Sequence, residues 1–159
     1  MHSARFGPIA QEFQRRVSIA GERPDLLRTV MITYREDRAV DLDLLDALRA
    51  ACGFKVQPRE TLRGQIEGSR WVVSAWDGDG LVGFARAISD GSSTAYVSSV
   101  MVDERYRRRG IGREMLGRLM RGHDDVKFVL HTRPEARAFY ASLGFEDAGN
   151  MMARARRSP

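Results

Sequence analysis

The chain has 159 residues, 43% of them hydrophobic, and 26 lysines and arginines against 21 acids give it a formal charge of +5. That length and apolar content fit one globular domain with a real core, and no apolar run approaches the 18 residues of a membrane-crossing helix. The single cysteine, Cys52, excludes an internal disulfide and fits a reducing cytoplasm, while His2, His123 and His131 offer no metal cluster.

Residues 1–29 read as an N-terminal extension. They lack the basic, apolar and small-residue pattern of a signal peptide. Pro8 opens a predicted helix with Ile9, Phe13, Val17 and Ala20 on one face and Gly21 at its end, and Glu22-Arg23-Pro24-Asp25 follows as a linker. Val30 to Tyr34 is a strand by its β-branched and aromatic content. Asp41 then caps a helix with Leu42, Leu45, Leu48 and Cys52 on its buried side, closed by Gly53. A shorter helix runs from about Pro58 to Glu67, with Leu62 and Ile66 inward. Three strands follow as a meander, Trp71 to Trp76, Leu81 to Ile88 and Thr94 to Val102. Asp77-Gly78-Asp79-Gly80 forms the first hairpin and Ser89-Asp90-Gly91-Ser92 the second turn.

Arg107-x-x-Gly110-x-Gly112 is next, and it opens a helix whose apolar stripe is Ile111, Met115, Leu116, Leu119 and Met120. A helix N-terminus presents unpaired N–H groups and partial positive charge, and glycines let a phosphate approach that backbone. Arg107, Arg108, Arg109 and Arg113 add charge that does not titrate away. The stretch therefore reads as a pyrophosphate cradle, with a surface turn before an ordinary helix as the alternative. No Gly-Lys-Ser/Thr tripeptide makes it a P-loop. Met115 stands where a dinucleotide fingerprint needs its third glycine, and the next acids, Asp124 and Asp125, sit in a turn. Lys127 to His131 is a further strand, Pro134 starts a helix with Ala136, Phe139, Tyr140 and Leu143 on one face, and Gly144 ends it. Glu146 to Met152 is expected as a last strand, and residues 154–159 as a basic tail.

Two stretches in this order, the strand running into Arg107-Arg108-Arg109-Gly110-Ile111-Gly112 and then Phe139-Tyr140-x-x-x-Gly144-Phe145, resemble the acetyl-CoA-dependent GNAT N-acetyltransferase superfamily. The similarity spans about Trp71 to Met152. Leu81 to Gly91 together with the cradle is similar to small-amine acetyltransferases of the arylalkylamine type. The resemblance implies an α+β fold over residues 30–153: a mostly antiparallel sheet with a splayed strand pair and about four flanking helices. It implies acetyl-CoA as cosubstrate, no metal, and direct attack of a primary amine within a ternary complex. Carried over position by position, Val100, Met101 and Val102 would bond the pantetheine arm through their main chain. Arg107, Arg108, Arg109, Gly110, Ile111, Gly112 and Arg113 would hold the phosphates. A backbone N–H near Val100 would receive the developing oxyanion, and Tyr140 would protonate the departing sulfur. In this family the two early helices line the acceptor site, which makes Phe54, Lys55 and Gln57 candidates for touching substrate.

The general base is not legible. Ser98 and Ser99 occupy the strand where many relatives carry an acid, Asp103 follows the strand, and His131 has a suitable unperturbed pKa but reads equally as a structural histidine. Arg133 replaces an asparagine common in relatives. Beside a small-molecule amine acetyltransferase stand two other readings. One is an enzyme for protein N-termini or lysines, with Asp41, Asp43, Asp46, Glu60 and Glu67 as a modest acidic set for a basic peptide. The other is a non-catalytic module binding acetyl-CoA or nucleic acid, the latter disfavoured because no aromatics interleave with the arginines. A second copy of the chain is a candidate partner through the leading helix.

Overall fold

The computed structural model describes residues 31–154, so the predicted leading helix, its linker and the tail beyond Arg154 lie outside the described residues. Strands β1 (Ile32–Arg35), β2 (Trp71–Asp77), β3 (Gly80–Ser89) and β4 (Thr94–Val102) pair antiparallel in chain order, and β5 (Lys127–Val129) joins β4 in parallel. Helices α1 (Leu42–Ala51) and α2 (Arg59–Glu67) precede β2, α3 (Ile111–Met120) joins β4 to β5, and α4 (Arg137–Ala141) follows β5. This is the α+β arrangement the sequence leads one to expect.

The helices start where local chemistry says they should. The Asp41 carboxylate accepts from the N–H groups of Asp43 and Leu44, satisfying two orphan donors of α1. Leu45 and Leu48 then fall on one face, and Leu62 and Ile66 do the same on α2. Leu45, Leu48 and Ile66 meet Val72, Trp76, Phe84 and Met101 on one face of the sheet. The opposite face is built from Val73, Ala75, Ala85, Ala87, Ala95 and Val97, and against it pack Ile111, Met115, Leu116 and Leu119 of α3. Alternation with period two separates these two sets along β2 and β3, and on β4 an irregularity between Ser98 and Met101 moves Met101 to the face opposite Ala95 and Val97.

Three expectations are corrected. No strand forms over Glu146 to Met152 among the described residues. Met151 N–H turns back to the Ala148 carbonyl at 3.2 Å, Asp147 pairs with Arg137, and the Asp-Ala-Gly-Asn sequence is turn-forming. The strand after α3 ends at Val129 rather than His131. The helix expected from Pro134 begins instead as a 3-10 turn, Pro134–Ala136, and becomes α-helical only at Arg137.

Candidate functional site

The site grows from two irregularities in β4. The first is a bulge. Phe84 stands opposite Met101 and Arg86 opposite Ser98, so Ser99 and Val100 together face the single residue Ala85. Ser99 takes a positive φ of 55° there, an uncommon conformation for a serine, and the strand bends. The second is a splay. β4 and β5 are in register only at Thr94–Lys127, Ala95–Phe128 and Tyr96–Val129. Beyond Tyr96 the edge of β4 has no strand partner among the described residues. Asp103 N–H bonds the Val82 carbonyl, so main-chain alternation turns the groups of Val102 away from β3 and into that opening. The Val102 carbonyl already receives Arg107 Nε at 3.1 Å and Cys52 Sγ at 3.5 Å, which leaves its N–H for a ligand.

A groove of about 1070 Å³ runs through this opening. One end is the start of α3. Gly110 caps the helix in a left-handed conformation (φ 80°) and Arg108 also has positive φ (60°). The first intrahelical bond is Glu114 N–H to the Gly110 carbonyl, so the amides of Ile111, Gly112 and Arg113 precede any helical acceptor. Gly112 allows close packing: a Cβ there would lie 3.3 Å from the Phe139 ring. Arg113 is held by the Ser142 carbonyl and hydroxyl, Arg109 lies 5.3 Å over the Tyr106 ring, and Arg107 and Arg108 line the groove. The groove thus brings together Arg107, Arg108, Gly110, Ile111, Gly112 and Arg113, whereas Arg109 stacks on Tyr106 outside its lining.

Tyr140 also lines the groove. Its ring packs edge-on against Phe139 and Phe145, and burial raises its hydroxyl above the ordinary tyrosine pKa. The phenol is therefore protonated at neutral pH. Asp103 is not free to act as a base. Its carboxylate accepts the Arg105 N–H and two guanidinium bonds, which hold it below the usual carboxylate range. His131 also lines the groove, with Nδ1 3.3 Å from the Tyr96 hydroxyl.

Of the acceptor candidates, Phe54 reaches the groove wall. Lys55 gives its carbonyl to Arg49, and Gln57 accepts from Gln65, so these two tie the α1–α2 loop together beside the groove. Sequence reasoning missed four residues here: Arg49, Arg86, Tyr96 and the groove-lining role of Cys52. The first two carried a signal. Arg49 follows Leu45 by four residues on the buried face of α1, and Arg86 interrupts the middle of an otherwise apolar strand. Cys52 was expected as buried packing and is instead half-buried in the groove wall, with burial pushing its thiol pKa up.

Comparison with known proteins gives a consistent picture. Residues 33–156 match the profile of the acetyltransferase (GNAT) domain. The chain is 34% identical over 118 residues to serotonin N-acetyltransferase 2, chloroplastic, of Oryza sativa subsp. japonica, covering 70% of this chain and 59% of that one. It is 29% identical over 154 residues to the histone acetyltransferase TAP1 of Glycine max, covering 87% and 64%. The chain thus spans about three fifths of the length of these two curated relatives. Among solved structures, a GNAT-family acetyltransferase of Streptococcus pneumoniae superposes with a TM-score of 0.67 at 28% identity, over 79% of this chain and 99% of that one. An aminoglycoside N-acetyltransferase in complex with CoA shares the fold at 17% identity, with a TM-score of 0.64 over 82% and 98%.

Proposed function

The chain belongs to the GNAT N-acetyltransferases, and from that premise we propose that it carries acetyl from acetyl-CoA to the primary amine of a small molecule. Both substrates sit in the groove together and the amine attacks directly. The observation that carries this reading is the single groove lined by the start of α3, the open edge of β4 and Tyr140.

Acetyl-CoA, when bound, supplies an activated thioester. The amides of Ile111, Gly112 and Arg113, with Arg107, Arg108 and Arg109 around them, hold its phosphates at the positive end of α3. The outward main chain of Val100 and Val102 offers strand-like bonds to an extended arm. A backbone N–H at the Ser99–Val100 bulge stabilises charge developing on the acyl oxygen, and Tyr140 gives its proton to the sulfur. The amine must shed a proton, and the Tyr96–His131 pair lines the groove as a route for it. A basic peptide acceptor has less support. Asp41 is spent on capping α1 and Asp43 pairs with Arg59, so part of the early acidic set is engaged locally.

Thiol release from acetyl-CoA over a panel of amines tests the reading. Tyr140→Phe should lower kcat by roughly 10²-fold or more while leaving acetyl-CoA affinity unaltered. Because the Tyr140 pKa is raised, its deprotonation should contribute a basic limb only above the ordinary tyrosine value. Unchanged turnover in the variant removes Tyr140 from the chemistry, and no release with any amine overturns the proposal.

A further inference from the structure

We propose that the acceptor end of this groove is built for an amine that also bears an anionic group, a carboxylate or a phosphate, received by the Ser98 and Ser99 hydroxyls in front of the buried Arg86 and Arg49. The proposal rests on the acetyl-transfer reading and adds the class of acceptor.

The argument starts from two buried cations. Arg49 is 5% exposed and Arg86 8%, and among the described residues no carboxylate pairs with either. Elsewhere arginines do meet acids: Arg59 with Asp43, Arg105 with Asp103, Arg118 with Glu36 and Glu114, Arg121 with Glu114, and Arg137 with Asp147. A buried guanidinium ordinarily needs such a partner, because leaving water is costly for an ion. Arg86 has only neutral acceptors, all at 3.2 to 3.4 Å: the hydroxyls of Ser98, Ser99 and Ser69 and the Gln65 carbonyl. Burial first, and the charge of Arg49 second, push its pKa below the usual arginine range. Arg49 donates to the Lys55 carbonyl and lies 5.3 Å from the Phe54 ring, while its Nε is buried with no hydrogen-bond partner at all. Local positive charge is therefore in excess and one of its donors is unmet.

The bulge delivers that charge to the groove. In a regular strand Ser98 and Ser99 would point to opposite faces. The positive φ of Ser99 breaks the alternation, and both hydroxyls reach the same guanidinium. Each oxygen accepts from Arg86, and neither hydroxyl proton has an acceptor among the described residues. Both serines line the groove. A hydroxyl whose oxygen is engaged by a cation is left to donate. The result is a pair of O–H donors with a cation behind them and no base among them. That arrangement disfavours a bare polyamine and suits an amine with an anion nearby.

The test compares amines that differ only by the anion: phenylalanine with phenethylamine, and phosphoethanolamine with ethanolamine. In at least one pair the anionic member should show kcat/KM roughly tenfold or more above its twin, the range of a hydrogen bond to a charged group. The pair that shows it identifies the anion. Ser98→Ala and Ser99→Ala should each erase much of that preference, read as the ratio of kcat/KM between the two members of a pair within the same variant, so that any general loss of activity cancels. Arg86→Met should erase nearly all of it, but that variant also strips the bulge of its anchor, so the serine variants decide. Titration of the CoA-loaded protein with N-acetylphenylalanine and N-acetylphenethylamine, and with N-acetylphosphoethanolamine and N-acetylethanolamine, reads the preference without turnover. Equal or reversed preference in both pairs overturns the proposal, and a preference indifferent to both serines overturns its placement. Preference in the titration with no thiol release from any amine would sustain the anion site and overturn the acetyl-transfer reading instead.

Discussion

The two faces of the central sheet are built on different terms. Under α3 the sheet offers small side chains, Ala75, Ala85, Ala87 and Ala95, and the helix lowers Met115, Leu116 and Leu119 onto them without a polar atom between. Under α1 and α2 the apolar set of Leu45, Leu48, Phe84 and Met101 is interrupted by buried Arg49, Arg86, Ser69 and Ser74. The dry face fixes the helix whose N-terminus forms the cradle. The polar face carries Arg49 and Arg86, the cations behind the proposed anion site. Close packing of apolar surface gives rigid placement, while in a buried polar network each group left without a partner costs stability.

The largest effect should come from opening the dry face. Leu116 is fully buried, and Leu116→Ala should cost about 2–5 kcal/mol by lost burial and cavity formation, read as a fall in the denaturant midpoint. On the polar face the comparable probe is Ser74→Ala. The Ser74 hydroxyl accepts the Trp76 indole N–H at 2.8 Å, and both residues are buried. Its loss leaves that donor unpaired, for about 1–3 kcal/mol. Should Ser74→Ala cost as much as Leu116→Ala, or nothing, the distinction between the faces would fail.

The dry face and the turn that opens α3 were legible in the sequence because they follow from period and from local turn chemistry. Ile111, Met115, Leu116 and Leu119 fall on one helical stripe, and Arg107-x-x-Gly110-x-Gly112 announces its start. Asp41 and Gly53 bracket α1 by capping chemistry, which is local. The polar face was legible only in hints. Arg86 and Arg49 are charged residues at core positions, and nothing in the linear order says that they share one pocket with Ser98 and Ser99. That depends on a bulge, and the sequence carries no glycine at Ser99 to announce it. The Glu146–Met152 segment failed for the opposite reason. A strand is expected there, but turn-forming residues and the Arg137–Asp147 pair prevail locally.

Between the two faces lies the cradle turn, and Gly110→Ala probes it. Nothing lies within 4 Å of a Cβ at that position, so no clash is involved and the whole effect is conformational. Placing a side chain at φ 80° should cost about 1–2 kcal/mol and raise the KM for acetyl-CoA as the amides of Ile111 and Gly112 shift. A stability loss with unaltered KM would detach the turn from cofactor binding.

The smallest effect concerns the end of β4, where Asp103 is tied to Arg105. The Arg105 hydrogen bonds hold the folded-state pKa of Asp103 below its ordinary 3.8. The stabilisation from its ionised form is therefore complete above the unfolded value and is lost as pH falls through the lower, folded one. Asp103→Asn cannot ionise, so it should be less stable than the parent by a constant margin near neutrality. That margin should shrink in unfolding curves taken below about pH 4, with a slope difference of at most about one proton. Activity per folded molecule should persist in Asp103→Asn, since the carboxylate is occupied by Arg105 and removes no proton from the amine. A collapse of turnover in a stably folded variant would instead make Asp103 the missing base, and would move the acceptor chemistry from the polar face to the end of the strand.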